Sequence, residues 1–295
     1  MDILNRFKNH FQTEKFLNEQ RRNYKIGEYS IQLSNDHILP LYQKQYPMYD
    51  RIVPFLGKMS EELSGTTIID IGANVGDTSF ALLQETSKKI IAVEPEDNYY
   101  QILVNNVCRY DAVKNSVETV QAFISDKENN SFITKSNDGT ARMVSADRGG
   151  CPAYSIDTLI KRKNVDWKDV ILIKSDTDGH DAEALMSCGE KLSYYSPVLY
   201  WENEIDTEGE YESYIQLCNY LRDNDYSDYL IFDNFGNFLV EGNSDTLRQI
   251  DNYIQRIRSS VSARTFYYVD VLACKDDKKA ICHKYLDQYL KGFDK

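Results

Sequence analysis

The densest chemistry in the chain lies at Lys174-Ser175-Asp176-Thr177-Asp178-Gly179-His180-Asp181, where three carboxylates, a lysine and an imidazole fall within eight residues. Carboxylates and imidazoles take up protons, and a lysine binds an anion or holds a carboxylate in place. Asp176, His180 and Lys174 are therefore the candidate catalytic residues. Asp176 is placed beside the reacting centre and His180 is a base by its resting pKa. Lys174 either binds an anionic acceptor or pairs with Asp176. Asp178 and Asp181 have a second reading as first-turn helix carboxylates stabilised by the dipole. The segment follows the β-branched run Val170-Ile171-Leu172-Ile173, which reads as a buried strand. The cluster then sits at the strand's C-terminal end, where open α/β sheets bind ligands.

A second constellation is Asp70-Ile71-Gly72-Ala73-Asn74-Val75-Gly76-Asp77-Thr78, which follows the apolar run Thr67–Ile71 and precedes a helical pattern. Glycine there lets the backbone turn sharply and approach a ligand closely. Counted from Gly72, however, Asn74 and Asp77 occupy the second and third glycine positions of a dinucleotide fingerprint. Asp77 at a helix N-terminus also repels a pyrophosphate. S-adenosylmethionine (SAM) carries an ammonium, a sulfonium and a ribose diol but no phosphate, and suits such a loop. Glu94 ends the next strand, where it can accept hydrogen bonds from both ribose hydroxyls. The cofactor set is thus Asp70, Gly72, Ala73, Asn74, Gly76, Asp77, Thr78, Glu94 and Asp176. Ser125 and Asp126, after Ala122-Phe123-Ile124, are added as adenine contacts. Tyr42, Tyr46, Tyr49, Trp201 and Glu202 are candidates for the acceptor side.

The loop with Thr78, Val93-Glu94-Pro95, Ser155-Ile156-Asp157-Thr158-Leu159, and Ile173 through Asp181 followed by Leu185 together resemble the FkbM family of SAM-dependent methyltransferases. Phe232-Asp233-Asn234-Phe235-Gly236 and Tyr268-Val269-Asp270 extend the resemblance to residues 40–275. It implies a Rossmann-like class I methyltransferase fold, α/β, with a seven-stranded, mostly parallel sheet whose last strand is antiparallel. It also implies SAM as donor and O-methylation of a sugar, glycan precursor or related small molecule. The family commonly has E-G-x-E where this chain has Asp178-Gly179-His180-Asp181, so each carboxylate is shorter by one methylene, about 1.5 Å. A non-catalytic SAM-binding or glycan-assembly scaffold is the alternative. An NAD-dependent oxidoreductase is opposed by Asn74 and Asp77.

These groups need a scaffold of alternating strands and helices. Strands are expected at Thr67–Ile71, Lys89–Glu94, Val117–Ile124, Val170–Ile173, Val198–Trp201, Tyr229–Phe232 and Phe266–Leu272. The alternation implies right-handed crossovers and a parallel sheet. Residues 126–153 break the rhythm, with Asn137-Asp138-Gly139 as the turn of a hairpin. Residues 1–64 read as a helical N-terminal extension, with one helix near Ile3–Phe11 and another from Asp50 to Leu63, capping a methyltransferase domain at 65–295. The aromatic stretch between them, with Pro40 and Pro47, is a poor continuous helix.

The 295 residues carry a formal net charge of −12, which repels phosphate backbones and argues against a nucleic-acid partner. No run of 18 apolar residues occurs, so stable membrane insertion is not expected. Six scattered cysteines and four histidines without metal spacing predict free thiols, no metal, and a cytoplasmic setting. The expected partner is a small-molecule or glycan acceptor, with room left for a homo-oligomer.

Overall fold

The computed structural model describes residues 15, 17–19, 21–126, 131–137, 140–146, 150–260 and 265–292. The helix expected near Ile3–Phe11 lies outside them. Residues 15, 17–19, 21 and 22 are helical, and a hairpin follows, β1 (Tyr24–Ile26) and β2 (Tyr29–Ile31), which the sequence reading did not contain. Helices α1 (Leu39–Gln45) and α2 (Val53–Glu62) follow, each with a proline in its first turn, where the missing N–H costs nothing.

From there the strands and helices alternate as expected: β3 (Thr67–Ile71), α3 (Asp77–Leu83), β4 (Lys89–Val93), α4 (Asp97–Cys108), α5 (Asp111–Ser116) and β5 (Val117–Val120). The middle of the chain holds β6 (Phe123–Ile124), β7 (Ser131–Asn137), β8 (Thr140–Ala146), β9 (Cys151–Tyr154) and α6 (Ile156–Arg162). Then come β10 (Val170–Ser175), α7 (Asp181–Met186), α8 (Lys191–Tyr194), β11 (Val198–Glu204) and α9 (Glu208–Asp223). The chain closes with β12 (Asp228–Asp233), β13 (Phe238–Gly242), α10 (Ser244–Ser260), β14 (Tyr268–Cys274) and α11 (Asp276–Lys291).

The main sheet runs β13-β12-β14-β11-β10-β3-β4-β5. Strands β5, β4, β3, β10 and β11 are parallel, and β14 enters antiparallel between β11 and β12. This is the class I methyltransferase arrangement, its seven strands extended by an eighth, the half-exposed edge strand β13. Every residue of β3 and of β10 is buried, as strands covered on both faces must be. Alternate residues feed two cores. Ile68, Ile90 and Leu172 face α2, α3, α4 and α11, while Ile69, Ile91 and Ile173 face α6, α7, α9 and α10.

One expected strand divides. Val120 is the last residue of Val117–Ile124 with a partner on β4, and its carbonyl accepts the Glu94 N–H at 3.0 Å. Beyond it the backbone must find other partners, so Phe123–Ile124 pairs with β9 in a four-stranded second sheet, β6-β9-β7-β8. The hairpin expected in 126–153 is β7–β8, with Asn137 opposite Thr140.

The extension is fastened to this scaffold by buried polar groups. The Asn106 amide donates to the Gln32 and Val75 carbonyls at 2.8 and 2.9 Å, and accepts the Gln32 N–H at 2.8 Å. Ile31, Leu33, Leu39 and Ile52 join the same core as Ile68 and Ile90, so the extension packs onto the sheet.

Candidate active site

The C-terminal ends of β3, β4, β10 and β11 open into one cavity, closed on the other side by residues from 37 to 50 and by Tyr267 and Tyr268. The loop after β3 is pinned by its backbone: Gly72 and Ala73 both donate to the Val93 carbonyl, at 3.0 and 2.9 Å. Gly72 has φ +71°, and a Cβ there would lie 1.7 Å from the Asp176 carbonyl oxygen, so the loops after β3 and β10 touch backbone to backbone. Five non-glycine residues among those described have positive φ, and three of them, Asp50, Asn74 and Asp178, line the cavity. Asp and Asn are the residues that tolerate this conformation best. Asn74 thus takes a glycine-like turn where a dinucleotide loop would need glycine.

Glu94 is held by two backbone N–H groups. Oε2 accepts the Asn74 N–H and Oε1 the Glu96 N–H, both at 2.8 Å, yet the residue still lines the cavity. Burial outweighs these two bonds and raises its pKa to about 8. Gly72, Asn74, Asp77 and Thr78 also line the cavity. Asp70, Ala73 and Gly76 stand behind the wall. Asp70 accepts the Ser79 hydroxyl at 2.6 Å, Ala73 is buried, and Gly76, at φ +96°, packs against Leu103. From there they shape the loop.

On the β10 side, Asp176, Thr177, Asp178 and His180 line the cavity. Lys174 does not. Its buried Nζ lies 3.2 Å from Asp70 and 3.4 Å from Asp176 and donates to the Gly72 carbonyl at 3.3 Å. Of its two sequence readings, the ion pair with Asp176 is the one the geometry matches. Asp181 also lies inside the protein, accepting the Ser175 hydroxyl at 2.6 Å, and burial lifts its pKa to about 6. It ties β10 to α7, in keeping with its helix-terminus reading.

Ser125 and Asp126 are not brought to the cavity. Ser125 donates to Glu183 at 2.5 Å and Asp126 is exposed, because the chain has left the main sheet before reaching them. Ala122, Phe123 and Ile124 form that part of the wall instead. Trp201 points into the opposite core and donates to Asn203 at 3.1 Å, whereas Glu202 lines the cavity. Tyr42 and Tyr49 line it too; Tyr46 packs on Phe235, ring centroids 4.5 Å apart, outside it.

The sequence reading missed His37, Asp50, Glu204, Tyr267 and Tyr268 in the wall, and Asp270, which pairs with Glu202 across β11 and β14. A carboxylate inside the apolar run of β14 was the available signal for Asp270. Burial first, then the charges of Asp77 and Asp176, raise Asp50 to about 8. Burial and neighbouring carboxylates likewise hold Glu202 and Asp270 well above the usual range. His37 is lowered by burial, against the pull of Asp77. Asp178, Glu202 and Glu204 each bring a carboxylate oxygen within 4.8 Å of the others, a grouping compatible with a metal ion that the sequence reading, expecting none, did not foresee. A similar trio, Asp228, Glu241 and His283, is bridged by Lys279, 2.7 Å from Asp228 and 3.1 Å from Glu241.

No helix of the described residues is long and apolar enough to cross a membrane. Among known proteins, the model of the methyltransferase FkbM domain matches residues 70–227. An O-methyltransferase from Bacillus cereus, solved in complex with SAH, is similar at 13% identity, over 81% of this chain and 89% of that one, with a TM-score of 0.45. The methyltransferase FkbM from Methylobacillus flagellatus KT is similar at 15% identity, over 80% of this chain and 58% of that one, with a TM-score of 0.38. No curated protein matches.

Proposed function

The chain belongs to the FkbM methyltransferase family and uses SAM as methyl donor, and we propose that it methylates a hydroxyl of a sugar, glycan precursor or related small molecule. The observation that carries this reading is one cavity lined by both Glu94, fixed by two backbone N–H groups, and Asp176, fixed by Lys174. The residues fit the donor. Glu94 offers a carboxylate to a ribose diol, the Gly72–Thr78 loop carries no group that clashes with an uncharged ribose, and Asp77 and Asp176 offer negative charge to an ammonium and a sulfonium.

Bound SAM supplies a methyl carbon on sulfur; the C–S bond breaks as a C–O bond forms to the acceptor oxygen. The protein's work is to hold the acceptor hydroxyl in line and to receive its proton. In this reading Asp176 accepts that proton, and Lys174, buried against it and Asp70, holds its carboxylate in one position. His180 lines the same wall and is a further proton acceptor in reach of the cavity.

Turnover of labelled SAM against sugars and glycolipid precursors tests the reading. Asp176→Asn is expected to lower kcat by about 10²–10⁴-fold and to weaken SAM, whose charge it faces, by a smaller factor. Wild-type turnover in chelator is expected to equal turnover without it. Unchanged kcat in Asp176→Asn, or activity lost in chelator and restored by magnesium, would overturn these assignments.

A further inference from the structure

We infer that His37, in the N-terminal extension, holds the carboxylate at the amino-acid end of the methyl donor, while Asp77 faces the ammonium on the same carbon; this rests on the SAM reading of the cavity. That end of the donor is a zwitterion. Glu94, Asp77 and Asp176 suit its ribose, ammonium and sulfonium, but a carboxylate is repelled by all three and needs an N–H or O–H of its own. Among the described residues no lysine or arginine lines the cavity. Lys174 stands behind the wall, bound to Asp70 and Asp176.

Two imidazoles remain in the wall, and their places differ. His180 belongs to the turn after β10, whereas His37 lies beside the loop after β3. Asp77 is the charge that His37 feels most strongly, and His37 the charge that Asp77 feels most strongly. No hydrogen bond joins the two side chains, so neither uses up the other. Together they present an acid and an N–H to one region of the cavity, the complement of an ammonium and a carboxylate on one carbon.

The ring is set to donate. Its Nδ1 accepts the Leu39 N–H at 3.4 Å, and an accepting nitrogen carries no proton, so the neutral ring has its proton on Nε2. Burial lowers its pKa, as does Arg21, against the pull of Asp77 and Asp36, so near neutral pH the ring binds as a neutral donor with no proton taken from solvent. Its backbone is braced on both sides. Arg21 Nε donates to the His37 carbonyl at 2.9 Å, and Asp36 accepts the Tyr99 hydroxyl of α4 at 3.0 Å and the Ser34 hydroxyl at 2.5 Å. His37 lies outside the family-matched residues 70–227, so the extension completes a donor site that the family domain alone leaves open.

Two ligands that differ by the carboxylate alone test this: S-adenosylhomocysteine and its decarboxylated analogue, which keeps the ammonium. Their binding to the full chain is measured by calorimetry near neutral pH. The wild-type protein is expected to bind S-adenosylhomocysteine at least about tenfold more tightly than the analogue. His37→Phe keeps a ring and removes the N–H; it should weaken S-adenosylhomocysteine about tenfold and move the analogue by less than about twofold. His37→Gln retains an N–H at the end of its side chain, so the same selective loss should shrink to about threefold, and this variant carries the test where the first does not fold. Equal losses for both ligands would overturn the inference, since His37 would then only shape the cavity. Unchanged affinity for S-adenosylhomocysteine in His37→Phe would overturn it as well, and so would a wild-type protein with no preference between the two ligands. Failure of S-adenosylhomocysteine to bind the wild-type chain would instead sink the SAM reading itself.

Discussion

At the donor end of the cavity one contiguous loop does most of the positioning, whereas the acceptor end is assembled from side chains of four distant segments. Gly72, Asn74, Asp77 and Thr78 come from seven consecutive residues, and Glu94 from the strand beside them. The other end takes Tyr42, Tyr49 and Asp50 from the extension, Asp178 and His180 from the turn after β10, Glu202 and Glu204 from β11, and Tyr267 and Tyr268 from the start of β14 and the residue before it. The donor end works through backbone: two N–H groups fix Glu94, and backbone-to-backbone contact fixes Gly72. At the acceptor end the side chains decide. A fold can therefore keep the first and re-specify the second one residue at a time.

The largest effect is expected where the two ends meet. In Gly72→Val the new Cβ would fall 1.7 Å from the Asp176 carbonyl, and φ of +71° strains any side chain. Loss of at least about 3 kcal/mol in denaturant unfolding is expected, together with loss of S-adenosylhomocysteine binding. A stable variant that binds normally would show that the loops after β3 and β10 do not need this contact.

That asymmetry also explains what was readable. The loop, Glu94 and the cluster after β10 are local patterns, and local spacing is what a sequence displays. Asp50, Glu204 and Asp270 meet only through the sheet order, which sets β14 beside β11 although the 63 residues 205–267 lie between the end of one and the start of the other. Ser125 and Asp126 were placed by extending a strand that ends at Val120 for want of a partner. The hairpin β1–β2 has three-residue strands, too short for a period to show.

The next effect separates the ends. Glu94→Gln presents an amide N–H to a backbone N–H donor of Asn74 or Glu96 and removes the charge that a ribose diol would bond. S-Adenosylhomocysteine affinity should fall about a hundredfold, while the acceptor KM at saturating SAM should not change. Loss of both in equal measure would mean the two ends are one coupled site.

A smaller effect, confined to the acceptor end, should come from Gly236→Ala. This glycine, φ +88°, sits in the turn between β12 and β13, and a Cβ would lie 2.2 Å from the Met48 carbonyl; its own carbonyl accepts the Tyr289 hydroxyl. The turn thus braces the backbone just before Tyr49 and Asp50. Acceptor KM is expected to rise about tenfold with donor affinity within about twofold. A donor affinity that falls as far as the acceptor's would erase the distinction.

The gentlest test uses pH and no substitution. Glu94 and Asp50 both titrate at about 8 in the folded protein, against roughly 4 in an unfolded chain. Between those values the folded state holds more protons than the unfolded state, so stability should decline as pH rises from about 4 to about 8 and level off above. A ribose diol donates to ionised Glu94, so ligand binding below about pH 8 must expel a proton, and affinity should rise with pH across that window. Saturating S-adenosylhomocysteine should then recover the part of the decline that belongs to Glu94 and leave the part that belongs to Asp50 and the other buried carboxylates raised by burial, Asp181, Glu202, Asp251 and Asp270. Melting temperatures with and without it, from about pH 5 to about pH 8, read both parts. If the ligand flattened the whole profile, Asp50 would belong to the donor end, and the division between the two halves would have to be redrawn.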